Sequence, residues 1–207
     1  GTALWVTDGS YNKDIAPTVS GAGWILYCTA TGKRMYGSFY EVSDSAGSYR
    51  GELLGLAAIH ILVAAIEQFY SLTPGTARIC CDNRGALFKC KVYRRRIPTG
   101  ASQADIKRVL RNVKTTLNTS FQYDWVASHQ DRYKLWHQLS ITAQLNCLCD
   151  TLAKQAVTRS LNPRVPRRSQ QPLPCESVSV FVRGRKQTTD VAKDVRFCLG
   201  QVEAEKF

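Results

Sequence analysis

The chain is 207 residues long, 44% hydrophobic and 21% charged, with 28 Lys and Arg against 16 Asp and Glu for a net charge of +12. That composition excludes disorder, collagen-like repeats and low-complexity sequence, and its length allows one full domain with an appendage. The longest apolar stretch, residues 53–66, is too short and too interrupted to span a bilayer, so no membrane partner is expected.

Leu4 to Asp8 alternates with period two, which puts Leu4, Val6 and Asp8 on one face of a first strand. Residues 22–28 and 35–40 read as two more strands around a Thr31-Gly32-Lys33 turn, and the three suggest an antiparallel meander. Residues 50–70, rich in Leu, Ala and Ile, predict a long helix buried against that sheet. Residues 78–82 form a short apolar strand that stops at Asp82-Asn83. Ser102 and Asp105 have the spacing of a helix capping pair, followed by apolar residues at helical intervals from Ile106 to Leu117. A fifth strand is read over 121–127 and a helix over 141–157. The order β-β-β-α-β-α-α-β-α predicts an α/β fold, a five-stranded mixed sheet flanked by helices. It occupies residues 1–159, followed by a Pro-rich linker over 160–175 and a small hairpin-plus-helix extension over 176–207. The extension is too small for a core of its own and is expected to dock on the main domain or on a neighbour.

Charge is distributed unevenly. Residues 1–83 carry 5 basic and 7 acidic side chains, whereas residues 84–114 carry 10 basic ones and only Asp105. Residues 158–207 carry 10 basic and 5 acidic. Basic segments beside a neutral-to-acidic core fit a polyanion binder with a separate acidic feature; a merely solvated basic surface is the alternative. Three of the eight cysteines, Cys28, Cys80 and Cys81, lie in apolar strand-like runs, where a thiol behaves as a small hydrophobe. A reducing, intracellular compartment is expected. Cys147, Cys149 and His137 lack the second pair that zinc-finger spacing requires. The Gly-Thr start and the lone Met35 are read as signs of a piece of a longer protein.

Four carboxylates stand in apolar surroundings: Asp8 ends the first strand, Glu52 begins the buried helix, Asp82 ends the fourth strand and Asp150 interrupts the apolar last helix. Carboxylates are costly to bury without a partner. If the first and fourth strands are neighbours, the four can meet, and their repulsion then calls for a cation. Oxygen-only ligands suit Mg²⁺ or Mn²⁺, and a two-metal carboxylate site catalyses in-line displacement at phosphorus. Each acid taken alone has an ordinary role as well. Asp8 could start a turn, Glu52 could face its helix N-terminus and Asp82 could cap the next helix. Asp150, in mid-helix, has no such alternative.

Five motifs in order carry a resemblance: Thr7-Asp8-Gly9-Ser10, Arg50-Gly51-Glu52-Leu53, Cys81-Asp82-Asn83, Val126-Ala127-Ser128-His129, and Asn146 with Asp150, Leu152 and Ala153. Over about residues 3–158 the chain resembles the ribonuclease H family, and its Ser128-His129-Gln130-Asp131 form resembles the ribonuclease H domain of retroelement reverse transcriptases. The resemblance implies an endonuclease that cuts the RNA strand of RNA/DNA hybrids. Asp8, Glu52, Asp82 and Asp150 would hold two Mg²⁺ ions, with Mn²⁺ able to substitute. His129 would assist proton transfer or product release, and Asn146 would orient Asp150 or touch the cut strand. A polymerase domain upstream in the same polyprotein is implied as a partner. The stretch between His129 and Asp150 is longer than usual for the family and carries Tyr133, Trp136 and His137.

Reading a hybrid requires contacts to the 2′-hydroxyl. Ser10, Asn12, Ser45, Ser48, Arg50 and Asn83 flank the acids and are candidate readers, with Arg94, Arg95 and Arg96 beside Lys89 and Lys91 as phosphate contacts. Two rival readings keep the fold: a non-catalytic nucleic-acid scaffold, and a DNA-cutting transposase or integrase core. Scaffolds usually lose one or more of the acids, and the second class orders them differently.

Overall fold

The computed structural model describes residues 3–72, 74–91, 97–98, 101–162, 173, 176, 179–182, 185–188 and 196. Its elements run β1 (Ala3–Ser10), β2 (Val19–Cys28), β3 (Arg34–Val42), α1 (Ser48–Tyr70), β4 (Thr76–Cys81), α2 (Arg84–Lys91), α3 (Ala104–Thr116), β5 (Ser120–Trp125), α4 (Ile141–Arg159), β6 (Val180–Val182) and β7 (Arg185–Gln187). Five strands form one sheet in the order β3-β2-β1-β4-β5. β1, β2 and β3 are the expected antiparallel meander, and β4 and β5 join parallel to β1. The α/β, five-stranded mixed sheet flanked by helices is therefore what the residue pattern predicts.

Side-chain alternation sorts the two sheet faces. Leu4 and Val6 of β1 and Cys80 of β4 pack with Leu145 and Cys149 of α4. Trp5, Ala77, Ile79 and Cys81 face the other way, onto the α1 side. The start of α1 is buried almost all round, with Leu53, Leu54, Leu56 and Ile59 at most 1% exposed. At 23 residues α1 exceeds the apolar stretch read from the sequence and is long and apolar enough to cross a membrane by length and composition. Here half of it is buried within the fold, as the central core helix.

Glycine sets how closely the helices approach. A Cβ on Gly9 would lie 2.3 Å from the backbone nitrogen of Glu52, so only glycine lets the end of β1 touch the first turns of α1. On the other face, a Cβ on Gly23 would lie 2.4 Å from the carbonyl oxygen of Cys149, which draws α4 onto β2. Both helices therefore come down hard on the sheet beside the end of β1.

Two local expectations are corrected. Ser102 and Asp105 do not form a capping pair: Gln103 takes the N-cap position of α3 with φ 57° and makes no side-chain cap bond. Asp105 turns instead to Arg50, whose buried guanidinium needs carboxylate partners. β5 ends at Trp125 rather than Ala127, although Val126 still donates its N–H to Cys81 O at 3.2 Å.

The C-terminal hairpin exists as β6 and β7, and it docks on the main domain. Ser43 and Lys186 form a parallel bridge, and Leu173 packs against the α1-side core. Most of the expected linker and the helix read over 191–199 lie outside the described residues. Among the described residues, six cysteines are free thiols.

Candidate active site

β1 and β4 pair in parallel through Val6↔Cys80 and Thr7↔Cys81, so the same register carried one residue further sets Asp8 opposite Asp82. Asp8 is 4% exposed and lies on the α4 side with Leu4 and Val6. Its Oδ1 accepts the Gly9 N–H at 2.7 Å, but β1 runs on through Ser10, so Asp8 does not start the turn expected of it. Its Oδ2 receives a long contact from Asn146 Nδ2 at 3.4 Å.

Glu52 arrives from α1, also 4% exposed. It sits beyond the first helical turn, which contains no acid, so it does not serve the helix N-terminus. Its carboxyl lies near enough to Asp8 and Asp82 that each raises its proton affinity. Glu52, Cys81 and Asp82 offer ligand atoms within 4.8 Å of one another, the one group of this kind among the described residues. Asp150 completes the set from α4, near enough to raise the proton affinity of Asp8 and Asp82. The four carboxylates therefore lie within reach of one another's charge at one end of the sheet, with Glu52 and Asp82 closest together.

Electrostatics make the gathering unfavourable without a cation. Burial, then the charges of Asp82 and Asp150, pushes the Asp8 carboxyl up to about 7. Burial, then Asp8 and Asp82, raises Glu52 well above the ordinary carboxylate range. Asp82 is raised too, chiefly by burial. Protons held on these carboxyls would offset part of that repulsion. A divalent cation would release those protons, and an all-carboxylate set fits a hard cation such as Mg²⁺ or Mn²⁺.

Two basic side chains stand at the Asp150 side. Lys154 Nζ lies 2.6 Å from Asp150 Oδ2, one helical turn on, and His129 Nδ1 lies 3.7 Å from the same oxygen. His129 holds φ 47° at the start of the Gln130–Arg132 3₁₀ turn and is partly exposed. Trp125 Nε1 donates to Asp82 O at 2.8 Å, and the Arg84 guanidinium stacks over the Trp125 ring at 4.0 Å.

The expected substrate readers divide. Ser48 is exposed at the start of α1 and Ser10 is half-buried at the end of β1. Asn12 is exposed, but its Oδ1 accepts the N–H groups of Asp14 and Ile15 in a local turn. Asn83, not Asp82, caps α2, its Oδ1 accepting from Ala86 N at 3.0 Å. Asn146 is 1% exposed and its amide faces Asp8. Ser45 is engaged by Gln103 and Thr188.

Arg50 is corrected outright. Its side chain is 0% exposed, with Nε 2.5 Å from Glu41 Oε2 and Nη2 2.7 Å from Asp105 Oδ2. Nη1 donates to Gln103. No donor is left to meet a nucleic acid. Against the downward push of burial, the bonds to Asp105 and Glu41 hold the guanidinium protonated. Arg94, Arg95 and Arg96 lie outside the described residues.

Two neighbours of the acids escaped the sequence reading. Cys81 Sγ lies 3.4 Å from Glu52 Oε2; strand alternation puts Cys81 on the α1 face, and that face is where Glu52 arrives. Lys154 follows Asp150 by four residues, the spacing of helical ion pairs.

Comparison with solved structures decides the fold. LC11-RNase H1, isolated from compost by a metagenomic approach and solved in complex with an RNA/DNA hybrid, aligns with a TM-score of 0.56 over 78% of this chain and all of its own, at 13% identity. The fold is that of ribonuclease H. Prototype foamy virus protease-reverse transcriptase aligns at 0.54 and 16% identity over 75% of this chain, which spans 20% of that protein. The PFV RNase H domain aligns at 0.53 and 13% identity, over 77% of this chain and 97% of its own. No protein-family model and no curated protein sequence matches the chain.

Proposed function

We propose that this chain is an endonuclease that hydrolyses the RNA strand of RNA/DNA hybrids, acting as the ribonuclease H domain of a retroelement reverse transcriptase. The observation that carries the reading is the convergence of Asp8, Glu52, Asp82 and Asp150 beside the end of β1, buried deeply enough that three of them resist ionisation. A purely structural site would not concentrate such cost at one edge of a sheet. Hybrid-bound LC11-RNase H1 on the same fold supports the choice of substrate.

In this reading the four carboxylates hold two Mg²⁺ ions, with Mn²⁺ as a substitute. When bound, the ions supply activation of water and stabilisation of the leaving oxygen. The chain's own residues prepare that chemistry. Asn146 fixes the rotation of Asp8, and the Gly9–Glu52 approach fixes α1 against β1. His129, with Nδ1 turned to Asp150, keeps Nε2 to exchange a proton with the cut strand. Ser48 and Ser10 are the candidate groups for the 2′-hydroxyls. The basic segment from Arg84 through Lys89, Lys91 and Arg94–Arg96 would lie along the phosphates of the hybrid, positioning it without reading sequence. A polymerase domain upstream in one polyprotein would deliver the hybrid.

The test is incubation of the chain with labelled RNA/DNA hybrid, duplex RNA and duplex DNA, in Mg²⁺, Mn²⁺ or chelator. Cleavage confined to the RNA of the hybrid and abolished by chelator is expected. A chain that binds hybrid but gives no heat on titration with either ion is a scaffold, and the nuclease reading fails.

A further inference from the structure

The C-terminal extension contains the only fully buried lysine among the described residues. Lys186 is 1% exposed, and its Nζ lies 2.7 Å from Glu176 Oε2, 3.2 Å from Asp105 Oδ2 and 3.6 Å from Glu41 Oε1. Glu41 and Asp105 are the carboxylates that hold Arg50, two residues before Glu52. Arg50 alone leaves that buried pair one positive charge short. Lys186 adds a second positive charge but shares it with Glu176, its nearest partner, so two cations serve three carboxylates and tie the extension to β3 and α3.

A second set of bonds lies a few ångströms along the same segment. Asp44 donates its N–H to Lys186 O at 3.1 Å. The Asp44 carboxylate accepts from Thr188 N at 3.2 Å and from Thr188 Oγ1 at 2.8 Å. Thr188 Oγ1 also meets Ser45 Oγ, which Gln103 Nε2 reaches at 3.2 Å. Every one of these bonds falls on the turn between β3 and α1, which leads into exposed Ser48 and on to Glu52.

We propose that Lys186 and Thr188 are positioning residues for the candidate active site, and that the extension is a strap fixing the β3–α1 turn and the start of α1. Its consequence for substrate rests on the nuclease reading above. With the strap in place, Ser48 and Glu52 are held on one rigid support. With it released, the turn opens locally while the sheet and α4 remain folded.

The test uses full-length Lys186→Met and Thr188→Val chains, checked for folding by thermal melts. Thr188→Val removes only the hydroxyl bonds and keeps the side-chain volume, so it remains informative if Lys186→Met does not fold. Hydrogen exchange over residues 43–52 should quicken in both variants, while exchange in β1 and β4 stays as in the wild type. On hybrid, Thr188→Val should raise KM about tenfold with kcat within about twofold, the pattern of lost positioning. Unchanged exchange over 43–52 overturns the strap whatever the chain cuts. Quickened exchange with an unchanged KM overturns its role toward substrate. Quickened exchange in the variants, together with a wild-type chain that cuts no hybrid, supports the strap and sinks the nuclease reading.

Discussion

Lys154 Nζ sits 2.6 Å from Asp150 Oδ2, so the site has a cation of its own on the one acid that comes from α4. A divalent ion bound by Asp150 must displace or share that ammonium. Lys154 is more than half exposed, so the pair is weak and screened by solvent. Lys154→Ala should therefore tighten Mn²⁺ binding by up to about fivefold in calorimetry. Weaker binding in the variant would mean that Lys154 helps to hold Asp150 in its ligating position.

The pH dependence follows from Asp8. Its carboxyl is raised from 3.8 to about 7 in the folded chain by burial and by Asp82 and Asp150. Ionised Asp8 thus opposes folding: the cost is absent below about pH 4, grows as pH rises and is complete above about pH 7. A divalent ion that neutralises the cluster should remove the cost. Mg²⁺ should raise the melting temperature at pH 8 and have little effect at pH 5.5, with protons released on binding near neutrality. A stabilisation equal at both pH values would contradict this picture.

Arg50 gives the sharpest contrast between sequence and structure. A reader of the 2′-hydroxyl could be removed with loss of binding alone. The buried Arg50 predicts otherwise: Arg50→Met leaves Glu41 and Asp105 with Lys186 alone and should cost about 3–5 kcal/mol of stability. Urea unfolding of the ion-free chain measures it. A variant as stable as the wild type, with weakened hybrid binding, would return Arg50 to the surface role.

The sheet and its acids were legible because their signals are local. Period-two alternation put Leu4, Val6 and Asp8 on one face, and the abrupt end of β4 at Asp82 needed only a neighbouring β1 to bring the two acids together. Asp150 stood out as a charge in an apolar helix. What failed to show are the long-range pairings of charge. Arg50 and Asp105 are 55 positions apart, and Lys186 reaches both Asp105 and Glu41 from the extension. Nothing in the neighbourhood of Arg50 marks it as buried, since an arginine near a helix start is ordinarily solvated. The capping pair misled for the same reason: Asp105 has the right spacing, but a buried guanidinium outbid the helix end.

The most direct measurement compares Asp82→Asn with the wild type in cleavage of a labelled RNA/DNA hybrid at saturating Mg²⁺, alongside hybrid affinity in chelator. Asp82→Asn keeps shape and removes one ligating charge, so cleavage should fall by at least about 10³-fold, near 4 kcal/mol of barrier, with affinity largely kept. A variant that cuts within about tenfold of the wild type would mean that the gathered carboxylates do not hold the catalytic ions.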